Sequence, residues 1–263
     1  VSLAYYDQLS TVQLSDFSSI LEKILPLLES GLKEVFDNPA EISLDLFKAN
    51  FEPLLQGITY IEYGKDNAAF LAEFKKNTGV FAAFKTHTQQ KELVKELLDA
   101  DGKLRSFAEF QKATKGILKD YNRNYLMVEY NTAVRSGQSA KDWQKAVSRA
   151  DTFPNLKYTP SLATERRENH KKYYNIVRPI NDPFWNKHLP PNGWQCQCGF
   201  ESSDEEVSEI PNDLPAPVTG FGINPGKHAK IVDDSHPYYP KSGDITKTKT
   251  YLWLINILKK NYG

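Results

Sequence analysis

Two cysteines and a histidine are the residues of this chain whose types and spacing best suit chemistry. Cys196 and Cys198 are the only cysteines in 263 residues, they stand two apart, and His170 lies upstream of them. Three readings of the trio stand side by side. A disulfide between Cys196 and Cys198 is the least favourable, because residues two apart in an extended strand hold their Cβ atoms too far apart for relaxed S–S geometry. A metal site would take His170, Cys196 and Cys198 as imidazole and thiolate ligands. Zinc is the natural ion for that set, with a fourth ligand from His188, His228 or His236, of which His236 is preferred. The third reading is two buried free thiols and a histidine with ordinary hydrogen-bond partners.

Each of these groups needs an element to position it. Asn192-Gly193 is a tight-turn signal, so the spacing predicts a strand from Trp194 to Phe200, with Cys196 and Cys198 on one face. Upstream, Thr164 can cap a helix running to about Asn175, which would put Arg167, His170 and Tyr174 on one side. Between the two lie Asp182-Pro183-Phe184-Trp185 and Pro190-Pro191, proline-stiffened runs that restrict the backbone path.

These pieces, taken in order, resemble the phage Mu protein F-like family of minor head, or head morphogenesis, proteins. The resemblance is carried by Arg167, His170, Asp182, Pro183, Phe184, Trp185, Pro190, Pro191, Asn192, Gly193, Trp194 and Cys196-x-Cys198. It extends back through Tyr121-Asn122-Arg123-Asn124-Tyr125 and forward to Asn224-Pro225-Gly226-Lys227 and His236-Pro237-Tyr238, covering residues 85 to 240. The chain departs from the family pattern at Ala163, Glu165 and Gln197, where polar or basic residues are usual; a local packing role for those positions is expected. The resemblance implies a phage or prophage minor head protein acting in head assembly at the portal and capsid, with portal and capsid proteins as partners. It places the chain in the host cytoplasm during assembly and in the virion. A structural rather than an enzymatic role is expected. The alternative is a cysteine-dependent hydrolase or peptidase of head maturation, with Cys196 or Cys198 as nucleophile and His170 as base, which requires an exposed, activated thiolate.

The rest of the chain supplies the frame. Lysine plus arginine and aspartate plus glutamate each number 33, a balance that argues against broad charge-driven nucleic-acid binding. No apolar run reaches membrane-spanning length. Apolar spacing predicts helices over 16–36, kinked or divided at Pro26, and from Ser43 through Pro53, then two more over 66–76 and 79–98. Asp99 to Gly102 reads as a turn. Ser106 and Glu109 form a capping box for a helix from Phe107 to Arg135, and Ser139 with Asp142 opens another. Leu156 to Pro160 reads as a strand, residues 201–220 as an acidic, proline-rich loop, and Thr248 onward as a closing helix. The expected fold class is α+β: a helical N-terminal region, 1–102, then an F-like domain, 103–263, with a few short strands around the Cys-x-Cys element.

Overall fold

A computed structural model describes residues 14–60, 62–241 and 245–261. They form α1 (Leu14–Asp37), α2 (Leu44–Thr59), α3 (Ala68–Lys95), α4 (Phe107–Lys119), a π-helical segment (Asp120–Tyr125), α5 (Leu126–Val147), β1 (Asn155–Thr159), α6 (Glu168–Lys171), β2 (Val177–Pro179), α7 (Phe184–His188), β3 (Gly199–Ser203), α8 (Pro225–His228) and α9 (Ile245–Asn261). This is an α+β fold. Two compact units interleave along the sequence. Among the described residues, one comprises Gly57–Asn77 and Asn131–His236, and the other comprises 14–56, Thr78–Tyr130 and 237–261.

The second unit is helical. Its helices form where apolar residues recur at three and four, so that Phe17, Ile20, Ile24, Leu28, Leu32 and Val35 are all buried along α1. Neither Pro26 nor Pro53 divides its helix. Ser43 accepts the Leu46 N–H at 3.1 Å, the cap expected for α2, and the Ser106–Glu109 capping box opens α4. The two helices expected over 66–76 and 79–98 are one, α3. A Cβ on Gly79 would make only ordinary contact with Phe51, Leu254 and Leu258, so the glycine lies against packed neighbours and the flanking burial outweighs its weak helix propensity.

Polar groups inside this unit are satisfied by one another. Asn50 donates to Gln89 Oε1 at 3.0 Å, Gln89 donates to Asn122 Oδ1 at 2.5 Å, and Asn122 donates back to Asn50 Oδ1 at 3.1 Å, closing a ring of three buried amides. Beside it, fully buried Lys85 donates to Glu129 Oε2 at 2.5 Å and to the Tyr121 carbonyl at 2.9 Å. Burial pulls the Lys85 ammonium down and pushes the Glu129 carboxyl up, and each charge opposes that on the other. The π segment supplies both the Tyr121 carbonyl and the Asn122 side chain, since a π turn leaves carbonyls out of the regular α ladder.

The first unit holds the sheet, three antiparallel strands in the order β2-β1-β3. Central β1 pairs Leu156 with Arg178 on one side and Tyr158 with Phe200 on the other. Tyr158 and Tyr173 stack at 5.2 Å between ring centroids, Trp185 lies parallel to Tyr158 at 6.5 Å, and Leu156, Leu189 and Phe200 complete a buried cluster. The expected helix start at Ser139 does not occur, because α5 runs on to Val147. Gly137 is there for close approach, a Cβ on it standing 3.2 Å from the Ile58 carbonyl oxygen. The acidic loop after β3 is tied to the sheet, with Ser208 N–H donating to the Val177 carbonyl at 3.0 Å and Lys157 pairing with Glu205 at 2.7 Å.

Removing one member of the buried ion pair leaves the other desolvated and alone. Lys85→Met is expected to lower the unfolding free energy by about 3–5 kcal/mol, read by urea denaturation, and Lys85→Met with Glu129→Leu to recover most of it. Equal losses in the single and double variants would show that the pair itself does not carry the effect.

Candidate metal centre

His170 and the two cysteines are brought together by turns, and not by the strand and the helix to about Asn175 expected from the sequence. The predicted strand over Trp194–Phe200 begins only at Gly199. Before it, Cys196 N–H bonds the Gly193 carbonyl at 3.1 Å and Gln195 takes a left-handed φ of 56°, so the chain coils back and brings Cys196 and Cys198 together. Likewise the helix expected from Thr164 to Asn175 is a single turn, Glu168–Lys171, with Arg167 at its N-cap. It ends early because Asn175, at φ 63°, reverses the chain so that its N–H meets the Tyr158 carbonyl at 2.9 Å.

The result is a compact trio. Cys196 Sγ and Cys198 Sγ lie 3.6 and 3.5 Å from His170 Nδ1, and the three candidate ligand atoms all fall within 4.8 Å of one another. His170 and Cys196 are 4% and 3% exposed, and both cysteines are free thiols. A zinc ion with bonds of about 2.3 Å to sulfur and about 2.1 Å to nitrogen, at a tetrahedral angle, sets S···N edges of about 3.6 Å. The observed separations match that figure.

The thiols titrate as a pair. Their hydrogen bond to each other holds Cys196 well below the ordinary thiol range, against the effect of burial and with help from His170 and the Asn192 backbone. The same bond, together with burial, pushes Cys198 far up, against weaker pulls from Tyr158 and Tyr174. One proton is thus shared where two sulfurs meet, the proton a bound cation would displace. Asn192 Nδ2 donates to Tyr158 Oη at 2.9 Å, which leaves the phenol its own proton to offer towards Cys198.

The remaining residues singled out by the sequence build the frame of the trio. Arg167 donates to the Trp194 carbonyl at 2.6 Å and passes over Gly193, where a Cβ would stand 3.2 Å from its Nη1. Asp182 accepts from Arg178 through Oδ2 at 2.6 and 2.8 Å and from the Phe184 N–H through Oδ1 at 2.8 Å, which starts α7 after Pro183. Phe184 and Trp185 are buried in the aromatic cluster. Ser139 donates its hydroxyl to the Pro190 carbonyl, and Pro190 and Pro191 are joined by a cis peptide bond.

The histidines expected to supply a fourth ligand lie elsewhere. The His236 ring stands 5.5 Å from the Trp194 ring, over Gly220, and is not among the atoms that form the trio. Gly220 has a left-handed φ of 89°, and its bare Cα leaves the space that the imidazole fills. His188 packs against Tyr173 and Phe184, and His228 Nδ1 lies 3.0 Å from the Asn224 carbonyl oxygen. The sequence reading did not pick out Tyr158, whose partnership with Cys198 depends on strand pairing that no local signal carries.

Burial pulls the His236 imidazole down to about 4, with Asp233 opposing. A histidine kept neutral when folded and free to protonate at about 6.5 when unfolded contributes stability above that pH and loses it as the pH falls towards 4. Unfolding free energy, measured by urea denaturation at a series of pH values, is expected to decline across that window, and His236→Gln to flatten the decline. An unchanged slope in the variant would assign the effect to other groups.

Comparison with known proteins finds a similarity in the middle of the chain. Residues 78–201 match the sequence model of the family described as "Phage Mu protein F like protein". Against the 85 to 240 expected from the motifs, the match begins earlier and ends within β3. The "Putative capsid assembly protein F" of Escherichia phage Mu is 33% identical over 73 residues, which are 28% of this chain and 17% of that protein. The alignment therefore spans less than a fifth of the curated relative's length. No solved structure matches.

Proposed function

Because residues 78–201 are similar throughout to the phage Mu protein F-like family, we propose that this chain is a phage or prophage minor head protein that takes part in capsid assembly, and that His170, Cys196 and Cys198 hold a structural zinc ion. The observation that carries the first part is the family match, which includes every motif from Tyr121 to Cys198; the relationship to a putative capsid assembly protein agrees with it. The proposed partners are portal and capsid proteins. Two physical points support protein partners. Acidic and basic residues balance, and no described helix is long and apolar enough to cross a membrane.

The zinc reading is supported by the match between the S···N separations and tetrahedral edges. Zinc would cross-link α6 to the turn before β3, and so fix two loops that carry little regular structure of their own. The alternative, a cysteine-dependent hydrolase, asks for a thiolate open to substrate. The sulfur with the lowered pKa is that of Cys196, and it is shut away from solvent, which weighs against a nucleophilic role.

Mass spectrometry of purified particles and assembly intermediates is expected to find this protein at low copy with portal and capsid protein. Its absence from every fraction would overturn the assembly reading. Separately, protein purified without chelator is expected to carry about one equivalent of zinc, and Cys196→Ser or Cys198→Ser to lose it with a lower Tm. Less than about half an equivalent in the wild type would overturn the zinc reading.

A further inference from the structure

We infer that the fourth coordination position at this centre is filled by a water molecule, exchangeable for a small anion, and that Gln138 is the residue that holds that water. The inference rests on the zinc reading above and amends it in one respect, because an ion whose fourth position is open to exchange is not of the closed, four-ligand structural kind. Three protein atoms converge, and none of the histidines that could have supplied a fourth is among them: His236 packs on Trp194, His228 Nδ1 lies against the Asn224 carbonyl, and His188 packs on Tyr173 and Phe184. In their place, a cavity of about 20 Å³ touches both Cys196 and Cys198 and is bounded by Arg135, Gln138, Asp142 and Pro190. That volume suits one water molecule.

An independent feature marks the same spot. Gln138 is 6% exposed, and its Oε1 is buried with no hydrogen-bond partner among the described residues. Its orientation is set, because its Nε2 donates to Asp142 Oδ2 at 2.8 Å. Gln138 is thus a residue of the cavity wall that carries a buried acceptor lacking a donor. A metal-bound water is an acidified donor, and a buried carbonyl oxygen lacking a donor is the partner it needs.

A route from solvent lies alongside. A groove of about 970 Å³ shares Gln138, Asp142, Gly199 and Phe200 with the cavity wall. Lys141, Lys145, Arg149 and Arg166 line it, and none of the four makes an ion pair among the described residues. These four cations outnumber the two carboxylates of the lining, Asp142 and Glu201, and a groove of net positive charge raises the local concentration of anions. The class of exogenous ligand is therefore a small anion.

The test is cobalt(II) substitution of the whole chain, followed by titration with azide. One equivalent of cobalt is expected to give thiolate charge-transfer bands and the visible spectrum of a four-coordinate ion, and azide to shift the visible bands saturably. In Gln138→Leu the bound water loses its acceptor while azide loses nothing, so azide should bind about tenfold more tightly, the equivalent of one hydrogen bond. Gln138→Glu keeps an acceptor and adds negative charge, and should bind azide more weakly than the wild type. No stoichiometric cobalt would sink the metal reading and this inference with it. Cobalt bound with a spectrum indifferent to azide would leave the metal reading intact and overturn the open position. An azide shift unchanged in both variants would overturn the role of Gln138.

Discussion

Two sulfurs and an imidazole nitrogen held in contact and away from water need something to absorb their charge and lone pairs, and the sheet-bearing unit is arranged around that need. Strand β1 presents Tyr158 towards Cys198, Asn192 orients the phenol, and Arg167 ties the turn that carries Cys196 to the helix that carries His170. None of these contacts is large. Together they hold three atoms in place, one on the single turn of α6 and two on the irregular segment before β3. Outside such a frame, one buried proton shared between two thiols would be a poor substitute for a dication.

The helical unit meets a related demand without sulfur. Its buried amides, Asn50, Gln89 and Asn122, each give one hydrogen bond to the next and take one from the last, and Asn50 gives a second to the Thr86 hydroxyl. Lys85 and Glu129 do the same with charge. Rings of this kind add little net stability, but they penalise any packing that opens them, and so they select one register among several similar apolar ones.

Much of this was legible in the residues. The helices announced themselves through apolar spacing and through Ser43 and Ser106, whose capping roles are local chemistry. Strand β1 fell within one residue of its expected start. The meeting of His170 with Cys196 and Cys198 was also foreseen, although for the wrong geometric reason. Nothing in the type of Gln195 signals the left-handed conformation it adopts, whereas Asn175 is of a type that favours it, and these two residues replaced a strand and a helix by turns. The breaks expected between 76 and 79 and before Ser139 proved to be unbroken helix, with Gly79 in ordinary contact with its neighbours and Gly137 close to the Ile58 carbonyl. His236 was assigned to the metal because histidine is a common ligand, when its surroundings are aromatic.

The π segment at Asp120–Tyr125 carries a consequence for phase. Buried positions along this stretch run Phe110, Thr114 and Tyr121, then Asn122, Leu126, Glu129 and Ala133. Each set keeps the three- and four-residue rhythm of an α-helix, but the second starts one residue late, a rotation of about 100° about the helix axis. The wide turn absorbs that rotation, so two buried stripes that would diverge on a regular helix stay in line. Deleting one residue there would remove the delay and let a regular helix carry both stripes, whereas inserting one would leave every side chain chemically intact and point half of them the wrong way.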